Sequence, residues 1–74
     1  MKVAVQLFGP LAEQAGRARI EVTTSGGTVA DVVAALGFPL DRSVRFAVNT
    51  DYADPSAVVR EGDVVSLIPP VGGG

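Results

Sequence analysis

The stretch Thr28-Val29-Ala30-Asp31-Val32-Val33-Ala34-Ala35-Leu36-Gly37 reads as one complete helix with both of its ends marked. Val29, Val32, Val33 and Leu36 fall at i, i+3, i+4 and i+7, so helical winding gathers them into a single apolar stripe. Thr28 suits the N-cap, where its hydroxyl can accept from a backbone N–H that has no partner inside the helix. Asp31, three residues on, completes a weak capping box. Gly37 fits the left-handed position that closes a helix, and Pro39 prevents its resumption.

Outward from this helix the apolar period changes to two. Upstream, Val3, Val5 and Leu7 alternate with Lys2, Ala4 and Gln6, a half-buried strand from about Lys2 to Phe8 that Gly9-Pro10 stops. Pro10 to Ala15 can form a short helical turn, since Pro is tolerated at a first helical position, and Gly16 ends it. Ala18, Ile20 and Val22 then alternate with Arg19, Glu21 and Thr23, close enough in sequence to pair antiparallel with the first strand. Downstream, Val44, Phe46 and Val48 alternate with Arg45, Ala47 and Asn49 as a third strand. Asn49-Thr50-Asp51-Tyr52 looks like a turn, and Asp54-Pro55 opens a less regular connection. After the turn Glu61-Gly62-Asp63, the nearly continuous apolar run Val64 to Ile68 suggests a central strand covered on both sides. Pro69-Pro70 ends it, because neither residue can donate to a ladder.

A hairpin, a crossing helix and a late central strand describe an α+β, β-grasp sheet of four to five strands, with one main helix packed on one face. At 74 residues there is room for a single domain. Its expected limits are residues 1–70, with 71–74 as a flexible glycine tail. No repeat or inter-domain linker interrupts it.

Composition narrows the chemistry. The chain contains no Cys and no His, which removes disulfides, ordinary zinc sites, thiolate nucleophiles and imidazole-based triads together. The serine hydroxyls have no imidazole to deprotonate them, so neither catalytic nor metal-binding residues are assigned. Net charge is −2, and the six cations are scattered along the sequence rather than gathered as in a nucleic-acid binder. No apolar run approaches the roughly 20 residues of a membrane span. The early alternation from Met1 is unlike a signal peptide, so a cytoplasmic protein is expected. Ser25-Gly26-Gly27-Thr28 lacks the lysine and spacing of a phosphate loop and reads as a loop with a cap.

Val71-Gly72-Gly73-Gly74 has no place in this sheet. By itself such a segment is a frayed end, but it follows stiff Pro69-Pro70 and terminates a β-grasp domain. Leu7-Phe8-Gly9-Pro10-Leu11, Ala47-Val48-Asn49, Glu61-Gly62-Asp63-Val64-Val65 and above all Ile68-Pro69-Pro70-Val71-Gly72-Gly73-Gly74 together resemble the MoaD branch of the MoaD/ThiS ubiquitin-like family, the sulfur-carrying subunits of molybdopterin synthase. The resemblance covers essentially the whole chain. Gly72 departs from the usual Ala or Ser of that branch and is also similar to thiamine-pathway carriers.

The resemblance implies a protein that is not itself an enzyme. Gly74 would be the modified terminus, with Gly72 and Gly73 required for its activation. An adenylating enzyme of the ubiquitin-activating type would join the Gly74 carboxylate to AMP, using ATP and magnesium; the carrier itself binds no cofactor. A sulfur donor would then replace AMP to leave a thiocarboxylate, and a large synthase subunit would use that sulfur to build the molybdopterin dithiolene. Activation is needed because a carboxylate, with a pKa of about 3.5, is a poor acyl electrophile at neutral pH. Glycine, without a β-carbon, lets a narrow channel close around the tail. Extended residues from Pro69 to Gly74 reach roughly 20 Å. Phe8 and Ile68, on the face opposite the helix by strand alternation, are candidates for partner docking with Pro69, Pro70 and Val71. The alternatives are a carrier for thiamine or tRNA thiolation, and a ubiquitin-like modifier or interaction module. Neither nucleic acid nor membrane is an expected partner.

Overall fold

The computed structural model describes residues 1–37, 40 and 42–70. Five strands form one mixed sheet: β1 (Lys2–Leu7), β2 (Arg19–Thr23), β3 (Arg45–Val48), β4 (Asp51–Ala53) and β5 (Val64–Ile68), in the spatial order β2-β1-β5-β3-β4. Two helices complete it, α1 (Pro10–Ala15) and α2 (Val29–Leu36). The sheet is the β-grasp arrangement expected from the element order. β5 runs parallel to β1, with Leu7 opposite Leu67, and antiparallel to β3, with Val48 opposite Val65.

Alternation decides which residues meet α2. Val3, Val5 and Leu7 of β1, Val22 of β2, and Val65 and Leu67 of β5 are buried on the helix side, together with Val29 and Val32 of α2. Val33 and Leu36 complete the stripe as partly buried neighbours, as do Phe46 and Val48 of β3. Each full Val or Leu burial contributes about 1.5–3 kcal/mol relative to exposure, so this aliphatic layer is the main source of stability. Leu11 of α1 joins the same core from the side.

The caps match the residue types. The Thr28 hydroxyl accepts from Asp31 N–H, and the Asp31 carboxylate accepts from Thr28 N–H, a reciprocal capping box. Gly37 follows α2 in the left-handed conformation at φ 86°. Pro39, expected to stop the helix, lies outside the described residues.

Three expectations are revised. The segment read as a turn at Asn49–Tyr52 divides: Asn49-Thr50 turn, while Asp51–Ala53 pairs with β3 as a fifth strand. Asn49 makes this tight reversal by adopting φ 56°, which its short polar side chain tolerates. Ala18 is exposed and precedes β2, although its carbonyl still accepts from Leu7 N–H at the end of the hairpin. β5 is central, yet only one of its faces is fully covered. Val64, Ser66 and Ile68 remain half-buried because both helices serve the core of the other face.

Candidate functional site

The tail glycines Gly72, Gly73 and Gly74, and Val71 before them, lie outside the described residues. The structure does describe the point from which they depart. β5 brings Ile68 to one end of the sheet centre, and Pro69-Pro70 follow it, neither able to donate to a ladder. Next to them is the end of β1. A β-carbon built on Gly9 would sit 3.8 Å from Pro69 Cγ, in ordinary contact. Gly9 has φ 51° and ψ −128°, a conformation that side-chain-bearing residues avoid. Gly9-Pro10 and Pro69-Pro70, distant in sequence, therefore form one structural corner.

Beside that corner the open face of the sheet carries a shallow hollow of about 350 Å³, lined by Phe8, Ala47, Asn49, Tyr52, Ser66 and Ile68 among others. The register explains its shape. Ala47 lies opposite Ser66 on one side and Tyr52 on the other, so small residues make the floor and larger ones the walls. Phe8 is 41% exposed and Tyr52 75%, a high exposure for aromatic rings. Phe8 and Ile68, paired on sequence grounds, do share this hollow. Pro70 borders instead a neighbouring groove that includes Arg42, Arg45, Phe46 and Tyr52.

The opposite end of β5 is held by a polar network. Asn49 Oδ1 accepts from Val64 N–H at 3.1 Å, and Asn49 Nδ2 donates to Asp63 Oδ1 at 3.3 Å. Asp63 Oδ2 accepts from Arg60 N–H at 2.9 Å. That backbone bond, followed by the Asn49 amide and the Arg60 charge, holds the Asp63 carboxyl below its usual pKa against a small opposing effect of burial. Sequence reading marked Ala47-Val48-Asn49 and Glu61-Gly62-Asp63 as family features. Their geometry shows a structural tie rather than a reactive site.

No group of three or more His, Cys, Asp or Glu able to hold a metal occurs among the described residues. No described helix is long and apolar enough to cross a membrane.

The sequence pattern of the ThiS family matches residues 5–74. The chain belongs to this family. ThiS/MoaD-family proteins are small ubiquitin-like sulfur carriers and are generally non-catalytic. Solved structures agree with the assignment. SAMP1 from Haloferax volcanii is similar over 100% of both chains, with 28% identity and a TM-score of 0.86. A Pyrococcus furiosus protein provisionally named molybdopterin converting factor, subunit 1, matches over 96% of this chain and 99% of its own, at 28% identity and TM-score 0.79. Subunit 1 of the Helicobacter pylori molybdopterin-converting factor, solved in complex with subunit 2, matches over 100% of both chains at 27% identity and TM-score 0.69. The ThiS-family fold thus occurs both in a named archaeal modifier and in a subunit of a two-part converting factor.

Proposed function

We propose that this ThiS-family protein carries sulfur as a thiocarboxylate on Gly74 and delivers it for dithiolene formation in molybdopterin. The observation that carries the reading is the corner at the end of β5. There Pro69-Pro70 lead out from the sheet centre against Gly9, beside the Phe8–Ile68 hollow. This offers a docking face and a tail root together, and the family match continues through Gly74. An adenylating partner, using ATP and magnesium, transfers AMP to the Gly74 carboxylate with release of pyrophosphate. Sulfide then attacks the acyl carbon and AMP leaves with the bonding electrons, giving the thiocarboxylate. A persulfide donor gives an acyl disulfide instead, which a second donor thiol cleaves to the thiocarboxylate with formation of a disulfide. The acid–base groups for work on a pterin come from a larger subunit, since the carrier has neither Cys nor His. Similarity to the converting-factor subunit solved with its partner supports this division. The reading places the cycle in the cytoplasm.

The test is a deletion strain complemented with the native chain or with a chain lacking Gly74. Native protein restores molybdoenzyme activity and the shortened chain does not. A strain whose only defect is a thiamine or thionucleoside requirement would redirect the sulfur to those acceptors, an outcome that Gly72 leaves open. Similarity to SAMP1 favours a second reading as a protein modifier. Isopeptide conjugates through Gly74, in place of a free thiocarboxylate, would support it.

A further inference from the structure

The arginines that are scattered in sequence are not scattered in space. The strand register puts Arg19 opposite Gln6, near the end of β1, and Arg45 opposite Ile68, at the end of β5. Arg17 lies two residues before the start of β2, and Arg42 borders the groove that also contains Arg45 and Pro70. Four of the six cations therefore stand at the end of the sheet from which the tail departs, on both sides of β5. All four side chains belong to exposed residues. Asp54 lines the groove with Arg42 and Arg45, and Glu21 follows Arg19 two residues on in β2, while Asp41 lies outside the described residues. The other end of the sheet has Asp51, Glu61 and Asp63 with Lys2 and Arg60.

Strands are spaced about 4.8 Å apart, so β3 and β2 lie roughly 5 and 10 Å to either side of β5. The Debye length at physiological salt is about 8 Å, so a surface meeting the tail root feels Arg42 and Arg45 most strongly, with Arg17 and Arg19 acting more weakly from just beyond that distance. Arg42 and Arg45 belong to exposed residues on one groove and so can reach a partner surface. The chain as a whole is acidic, at −2. A locally basic end on an acidic protein orients the molecule in a partner's field.

We infer that the adenylating enzyme that receives the tail presents an acidic rim around its tail entrance, and that Arg42 and Arg45, supported by Arg17 and Arg19, dock against it. This rests on the carrier reading and adds the charge of the partner surface and the residues that read it. Apolar contact at Phe8 and Ile68 supplies packing, while the arginines guide the tail end inward and set the approach orientation. Arginine suits the role because its planar guanidinium can grip a carboxylate with two parallel bonds.

The test measures adenylation by the purified adenylating enzyme of the same organism, with the full chain as varied substrate. Four chains are compared: native, Arg42→Glu with Arg45→Glu, Arg42→Lys with Arg45→Lys, and Lys2→Glu with Arg60→Glu. The last makes the same change in net charge at the far end. Expected is a KM raised roughly tenfold or more by the tail-end reversal, with kcat within about twofold of native and thermal unfolding unchanged. The lysine pair, which keeps the charge and loses the two-bond grip, is impaired less than the reversal, and the far-end reversal has little effect. Raising salt from about 20 to about 300 mM should weaken the native chain and leave the tail-end reversal nearly flat. An unaltered KM in the tail-end reversal, or an equal loss from the far-end reversal, overturns the inference while the carrier reading stands. Failure of the enzyme to adenylate the native chain removes the carrier reading and this inference with it.

Discussion

At its start β5 is tied down by side chains, and at its finish it leaves the sheet through two prolines. The first end has Asn49 on Val64 N–H, Asp63 on Arg60 N–H, and Glu61 accepting from Lys2 N–H at 2.8 Å. The second has Gly9 against Pro69, an open hollow and arginines on either side. Register is therefore set away from the tail. The tail end retains exposed apolar and cationic groups that a fold optimised only for its own stability would cover or pair. This separation lets a small domain keep its structure while offering its other end to partners.

The contrast is sharpened first in the core the two ends share. Leu67 is fully buried in β5, so Leu67→Ala should cost about 2–5 kcal/mol, measured by denaturant unfolding. A loss under about 1 kcal/mol would mean the layer collapses to refill the space, and the core is not the rigid base assumed.

A smaller effect is expected at the helix entry. A β-carbon on Gly26 would run into the Asp31 carboxyl group that forms the capping box. Gly26→Ala should cost about 0.5–2 kcal/mol, the range for losing an N-cap. If Asp31→Ala in the Gly26→Ala background costs as much as in the native chain, the cap survived and the clash is relieved in another way.

The polar tie has its own signature. Asn49→Ala loses the bond to Val64 N–H and leaves at φ 56° a residue without the short polar side chain that tolerates it, for about 1–2 kcal/mol in all. Asp63 adds a pH dependence. Its folded pKa lies below the ordinary 3.8, so its contribution is present above that value and is lost as pH falls through the folded pKa. The stability difference between the native chain and Asp63→Asn should therefore shrink in acid below about pH 4. A difference constant from neutral pH to strong acid would show that the carboxylate charge is irrelevant to the tie.

The tail end should respond least in stability and most in binding. Phe8→Asp alters an exposed ring, so unfolding should change by no more than about 0.5 kcal/mol. Binding to the large subunit, measured by calorimetry, should weaken by at least about tenfold, the effect of placing a charge where an apolar anchor docks. Unchanged affinity would move the docking face away from the hollow.

Much of this arrangement could be read in the sequence. The spacing of Val29, Val32, Val33 and Leu36, bounded by Thr28 and Gly37, is a local signal and located α2. Alternation correctly turned Phe8 and Ile68 to one face. β4 was hidden because a three-residue strand offers one alternation and only Tyr52 as a good strand former. The contact of Gly9 with Pro69 and the gathering of the arginines depend on which strands become neighbours. No local pattern contains that information; the parallel pairing of β1 with β5 supplies it. The open face of β5 was misread because a run such as Val64-Val65-Ser66-Leu67-Ile68 cannot show whether a second layer exists to cover it.

Whether Gly74 carries the sulfur is decided by intact mass spectrometry of the chain after incubation with its adenylating enzyme, ATP, magnesium and a sulfur donor. Expected is replacement of one oxygen by one sulfur, localised by fragmentation to the Gly74 carboxyl and absent when ATP is omitted or Gly73 and Gly74 are removed. A native chain that stays at its unmodified mass beside an active control carrier, or one that appears only as amide-linked conjugates, would contradict it.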